Sequence, residues 1–274
     1  MHGVPATFDH PLDAAEFRRP PHRDGVELYR AHIVRHAFEP HAHDAFGLGA
    51  IESGVERFRY RGTDHLAPAQ SLVLMNPDEL HTGRAETDEG WRYRMVYVAA
   101  DVVEAVTGER GWWFAQAVRP DAPRARQASA LLHALWYAES PLAFDSTLAD
   151  LLELLRPDAR TGRPALREGA PRFAGVVEYL RAHLDRRLTL DELAAVAGLS
   201  PFHFLRAFRA AHGATPQQVL MALRLADAQR RLAAGEAPAQ VAAAVGLADQ
   251  AHLTRAFARR YGVTPARYQR QVRG

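Results

Sequence analysis

Residues 190–208, LDELAAVAGLSPFHFLRAF, return at residues 239–257 as AQVAAAVGLADQAHLTRAF, and this repeat restricts the fold more than any other feature. Gly198 corresponds to Gly246, and Arg206-Ala207-Phe208 to Arg255-Ala256-Phe257, so the second copy is one residue longer between its halves. Each copy runs on into a matching Gly-x-Thr-Pro, Gly213–Pro216 and Gly262–Pro265. Self-similarity at a fixed spacing marks a repeated supersecondary unit. In the first copy Leu190, Leu193, Ala194 and Ala197 recur at helical spacing and Gly198 closes the run. Ser200 as N-cap and Pro201 in the first turn then open a second helix bearing Phe204, Ala207, Phe208 and Ala211. The pattern predicts two helix–turn–helix units joined by a helix from about Thr215 to Ala234.

In such a unit the first helix braces the second, which enters the DNA major groove and shows its outer residues to base edges. Burying Phe204 and Phe208 turns Phe202, Leu205, Arg206 and Arg209 outward; burying Leu253 and Phe257 does the same for Ala251, Thr254 and Arg255. Arg206 and Arg255 occupy equivalent places, where an arginine either bonds guanine through two hydrogen bonds or neutralises a phosphate. Charge agrees. All 34 basic residues are Arg; residues 171–274 hold 15 of them against 7 acidic residues, whereas residues 1–170 hold 19 against 25. A basic rear behind an acidic front predicts a nucleic-acid-binding domain attached to one with another task.

That front reads as strands. Glu56-Arg57-Phe58-Arg59-Tyr60 alternates, Trp91, Tyr93, Met95 and Tyr97 recur with period two, and turn signals such as Asn76-Pro77-Asp78 separate the runs. A helical pair follows, with Leu131, Leu132 and Leu135 on one stripe and Leu148, Leu151, Leu152 and Leu155 on the other, parted by Pro141. These stripes either cover the sheet or form a two-fold interface. Residues 156–171, rich in Pro, Gly and Arg, are expected as the linker between residues 1–155 and residues 172–274. The absence of cysteine excludes disulfides, thiolate metal sites and thiol nucleophiles. No apolar run is long enough to span a bilayer and no leader pattern opens the chain, so a cytoplasmic protein is expected.

The segment VAAAVGLADQAHLTRAFARRYGVTPARYQR resembles the second helix–turn–helix of AraC/XylS-type transcriptional regulators, and the resemblance extends from about Phe173 to Val272. It implies two units docked in successive major grooves. The base-reading positions it carries over are Phe202, Leu205 and Arg206 in the first unit, and Gln250, Ala251, Thr254 and Arg255 in the second. Leu205 and Ala251 depart from the polar residues common there, and read either thymine methyls or nothing. The front is similar to the small cupin β-barrel that many such regulators carry, on the strength of His41-Ala42-His43 and of Pro77 to Thr82 with His81. The fold class expected is therefore α+β: a barrel with its helical pair, followed by an all-α domain.

Strand alternation places His41 and His43 on one face, and with His81 they make a candidate three-imidazole site for a divalent ion, zinc or nickel. The cupin pattern calls for a Glu where Gly47 and Leu48 stand, so the set is incomplete. A small organic effector is the other expected occupant, with Phe46, Trp91 and Tyr93 as apolar walls and His41, His43, Arg57, Glu79 and His81 as polar contacts. The function expected is a non-enzymatic, effector-controlled, sequence-specific regulator working as a homodimer on double-stranded DNA, with RNA polymerase as a further partner. The alternative is a metal-dependent cupin enzyme or metal sensor fused to a DNA-binding domain.

Overall fold

The computed structural model describes residues 8, 10–162 and 173–273. Among these residues eight strands come first: β1 (Ala14–Arg18), β2 (Val26–Ile33), β3 (Ala37–His41), β4 (Phe46–Tyr60), β5 (Thr63–Pro68), β6 (Ser71–Met75), β7 (His81–Ala85) and β8 (Trp91–Val98). Helix α1 (Ala100–Thr107), short strands β9 (Trp112–Phe114) and β10 (Val118–Pro120), and the antiparallel pair α2 (Ala122–Trp136) and α3 (Pro141–Leu155) complete the front, with β11 (Ala159–Thr161) after them.

The expected barrel takes the form of two leaves sharing β4. One leaf runs β1-β2-β8-β4-β6-β10; in the other, β7 lies between β3 and β4, and β5 pairs with β4. The fifteen-residue β4 serves both leaves because its register against β8 shifts between Ile51 and Ser53. A bulge inverts the side-chain alternation. Before it Phe46, Leu48 and Ala50 face the helices; after it Glu56, Phe58 and Tyr60 face the interior.

The leucine stripes of α2 and α3 are spent within the chain. Leu132, Leu135, Leu148, Leu151, Leu152 and Leu155 are all buried in one core with Leu48, Leu72, Leu74 and Val96 of the sheet. Of the two readings the stripes allowed, their burial fits cover for the sheet; Leu131 is half-buried and Leu142 of the same pair is exposed. The linker also starts later than expected. Asp158 is bonded to Arg124 at 2.6 Å and to Arg119 at 2.9 Å, and Ala159–Thr161 pairs with β9, so residues 156–161 belong to the front domain. Residues 163–171 of the expected linker lie outside the described residues.

The helices that follow are α4 (Ala174–Ala182), α5 (Leu190–Val196), α6 (Pro201–His212), α7 (Pro216–Ala234), α8 (Pro238–Ala244), α9 (Gln250–Tyr261) and α10 (Pro265–Arg273). The repeated Gly-x-Thr-Pro is a stop-and-start signal. Gly213 and Gly262 end α6 and α9 in the left-handed region, Thr215 and Thr264 accept hydrogen bonds from the first turns of α7 and α10, and Pro fills the first helical position. Thr189–Glu192 and Thr215–Gln218 each form a reciprocal capping box. Ser200 stands at the N-cap of α6, but its hydroxyl pairs with His203 instead of the backbone. In the turn of the second unit Gly246 has φ +68° and lies so close to the Leu184 carbonyl that a Cβ would approach it to 2.3 Å, so only glycine fits.

The two units differ in where their cores go. Phe173, Leu180, Phe204 and Phe208 form a separate core in the first unit. In the second, Leu225, Leu253, Phe257, Tyr261 and Tyr268 are continuous with the sheet interior, Tyr261 and Tyr268 meeting Phe17 across the domain boundary. Glu27 gathers the polar side of this junction, accepting from Tyr268 Oη at 2.6 Å, Gln229 Nε2 at 2.8 Å and Arg19 Nε at 2.7 Å.

Candidate functional site

The exposed faces of α6 and α9 follow from the burial of their opposite sides. Phe204, Phe208, Leu253 and Phe257 are 0% exposed, which leaves Phe202 (70% exposed), Leu205, Arg206 and Arg209 on the outside of α6. On α9 the outside holds Gln250, Ala251 and Arg255, with Thr254 half-buried. Arg206, Arg209 and Arg255 form no salt bridge among the described residues. Basic side chains without a partner, beside exposed apolar ones, suit a surface that meets an anionic polymer.

A second site lies between the leaves, at the end of the sheet that α9 covers. It is a chamber of about 40 Å³ lined by His41, His43, His81, Glu56, Tyr93 and Tyr97, with Arg260 and Tyr261 of α9 on its wall. His41 and His81 are direct partners across β3 and β7, and their rings lie 4.2 Å apart. His43, in the loop after β3, stands 5.2 Å from the first ring and 5.4 Å from the second. His41 Nδ1 lies 2.7 Å from the Glu39 carbonyl oxygen and His81 Nδ1 lies 3.1 Å from that of Glu79. A carbonyl only accepts, so both Nδ1 atoms donate and both Nε2 lone pairs are free.

Burial sets the protonation here. It pushes His81 down to about 4, the Glu79 carbonyl bond only partly offsetting it, and lowers His41 and His43 well below their ordinary value with the help of neighbouring positive charge. The same burial raises the Glu56 carboxyl to about 8. At neutral pH the chamber thus holds neutral imidazoles and a protonated Glu56. The fixed charge on its wall is Arg260, whose two Nη groups donate to the carbonyls of Ala222 in α7 and Ala42 between the two histidines. No carboxylate pairs with it among the described residues. Among the described residues the Nε2 of His43 is buried without a hydrogen-bond partner, and the Arg260 guanidinium lies 5.0 Å from the centre of the Tyr261 ring.

Of the eight residues expected around a ligand, His41, His43, His81 and Tyr93 line the chamber. The other four do not, each for a local reason. Phe46 lies before the bulge and packs toward the helices. Arg57 is on the outer side of β4, forked onto Glu86 at 2.5 and 2.6 Å. Glu79 is held by Arg61 Nε at 2.8 Å and by the Tyr60 hydroxyl. Trp91 lies fully buried, stacked 5.6 Å from Tyr93 and shielded by it.

Glu56, Arg260 and Tyr261 went unread in the sequence although each carried a signal. Glu56 shares the alternation of Phe58 and Tyr60, and Arg260 and Tyr261 continue the helical stripe of Leu253 and Phe257. Beside the chamber, a cleft of about 470 Å³ opens between the sheet and α4 and α7, lined by Leu80, Val177, Leu184, Val219 and Leu223. His43 borders both spaces.

Comparison with known proteins fits this division. The profile of the AraC-like ligand binding domain matches residues 25–155, and a helix-turn-helix domain profile matches residues 193–271. The HTH-type transcriptional regulator YbfI of Bacillus subtilis is 29% identical over 238 residues, 83% of this chain and 86% of that one. The MmsAB operon regulatory protein of Pseudomonas aeruginosa is 37% identical over 123 residues, 44% of this chain and 38% of that one. Among solved structures, an apo form of ToxT from Vibrio cholerae has a TM-score of 0.58 at 10% identity, covering 91% of this chain and 98% of that one, a likeness of fold alone. With both halves matched in order and a relative aligned through both, the chain belongs to the AraC/XylS family of transcriptional regulators.

Proposed function

We propose that the chain reads DNA through Phe202, Leu205, Arg206 and Arg209 of the first unit and Gln250, Ala251, Thr254 and Arg255 of the second, under the control of a small molecule held at the chamber. One observation carries the reading: Arg260 and Tyr261 of the chamber wall sit on α9, the same helix that presents Arg255 outward. An occupant therefore touches the DNA-reading helix directly, and it shifts the balance between DNA-competent and other arrangements by the difference of its contacts in each. The 470 Å³ cleft gives such an occupant room beyond the chamber. A structure of ToxT with a bound unsaturated fatty acid is consistent with small-molecule control on this fold.

In this reading residues up to about 162 form the effector unit and residues from about 173 the DNA-binding unit. The protein acts in the cytoplasm, not as an enzyme, with RNA polymerase and a second copy as partners. The test is fluorescence anisotropy of the full chain on DNA from upstream of its own gene. Binding is expected at low salt, falling steeply as salt rises because several phosphates are neutralised. Absence of binding at low salt would defeat the reading.

A further inference from the structure

Among the described residues the two helix–turn–helix units share no apolar core. On α7, Val219 and Leu220 belong to the core of the first unit, and Leu225, Ala228 and Leu232 to that of the second. Arg224 falls between the two sets and is 7% exposed. Its Nε donates to the Leu184 carbonyl at 2.8 Å and its Nη2 to the Arg186 carbonyl at 2.7 Å, so one guanidinium forks across the turn between α4 and α5. The turn of the second unit closes on the same place. A Cβ on Gly246 would collide with the Leu184 carbonyl oxygen and come within 2.7 Å of Arg224 Nη2. Gly198, its counterpart in the first copy of the repeat, has the same left-handed backbone but open space where a Cβ would stand. Both glycines end a helix; of the two, Gly246 is the one also pressed against the other unit.

We infer that Arg224 is a positioning residue for DNA reading: with Gly246 it seats the second unit on the first, and so sets how many base pairs separate the two stretches of sequence the protein accepts. This rests on the proposed function and adds to it the spacing of the operator. Units docked in successive major grooves need about 34 Å between their reading helices and a fixed rotation about the DNA axis. One base pair more shifts the second stretch by about 3.4 Å and turns it by roughly 35°. The connecting helix holds the distance, since α7 is continuous over 19 residues. It does not alone hold the rotation, because each unit packs on α7 through a core of its own. The contact at Arg224 and Gly246 supplies a direct seat of one unit on the other. A planar guanidinium bonded to two carbonyls of one turn resists swivelling more than a single donor does.

The experiment selects duplexes bound by the full-length wild type from a random-sequence pool, then lengthens or shortens the chosen site by one base pair between the stretches read by α6 and α9. Anisotropy gives the affinity for each length. One base pair either way should cost the wild type about tenfold or more, because one unit then loses its base contacts. In Arg224→Met, similar in reach but without donors, the three affinities should converge to within about threefold. That variant strands two carbonyls and is at risk of unfolding, which its Tm reports; Arg224→Lys keeps the charge and a donor without the fork, and keeps the test open. A folded variant of either kind that discriminates the three lengths as sharply as wild type, even at lower affinity, overturns the inference. Wild type that binds DNA but accepts all three lengths equally also overturns it and leaves the regulator reading standing. Wild type that binds no DNA overturns both.

Discussion

Glu56 is a carboxyl that the fold keeps protonated. Its ordinary value is 4.5 and burial raises it to about 8, so between those values the folded chain holds a proton that the unfolded chain releases. Unfolding then loses protons, and the stability of the metal-free protein should fall as pH rises through that window, by up to about 1.4 kcal/mol per pH unit for one group. Glu56→Gln cannot ionise and should remove this component. Urea midpoints at several pH values between about 5 and 9 check it; parallel pH profiles for the two proteins would contradict the assignment. The neighbouring position shows what sequence reading missed. Arg57 stood out as a polar ligand contact because it is charged, yet alternation with Phe58 sends it outward to Glu86 and sends Glu56 in. The parity was legible; the bulge at Ile51–Ser53 was not, because nothing in those residue types announces an extra residue, and Phe46 was misplaced with it.

Helix α9 has two unlike faces. Leu253, Phe257, Arg260 and Tyr261 are buried toward the sheet and α10, while Gln250, Ala251 and Arg255 stay exposed. Helix α6 has the same exposed face, while its buried side closes mainly on Phe173. Arg206→Ala and Arg255→Ala should therefore each cost about 1–3 kcal/mol at one base pair if the contact is bidentate. Anisotropy on operator variants reads this out: equal weakening on every sequence would reassign that arginine to a phosphate. Here the helical pattern was readable almost to the residue. Thr215 caps α7 and Gly235 ends it, as their residue types require. The docked side of α9 was not readable, because an apolar helical stripe states that a face is buried without stating against what.

The domain order followed from charge asymmetry and the repeat, but the shared core did not, since it depends on pairing residues more than two hundred positions apart. Phe17 meets Tyr268 at 5.2 Å between ring centroids, and Glu27 bonds the Tyr268 hydroxyl. Residues 173–274 expressed alone should keep the first unit, whose Phe204 and Phe208 pack on Phe173. They should lose protection in the second, where each large side chain uncovered costs about 1.5–3 kcal/mol if fully exposed. Amide hydrogen exchange on the fragment and the full chain is the check, and equal protection of both units in the fragment would refute it. Regulators of this build are often pictured as interchangeable parts, a sensor bolted to a reader. Here Glu27 supplies the acceptor for Gln229 and Tyr268, and Ala42 supplies a carbonyl for Arg260. Grafting this reader onto a foreign sensor would strand an arginine and two aromatic rings at the seam, so a working hybrid has to exchange the seam along with the part.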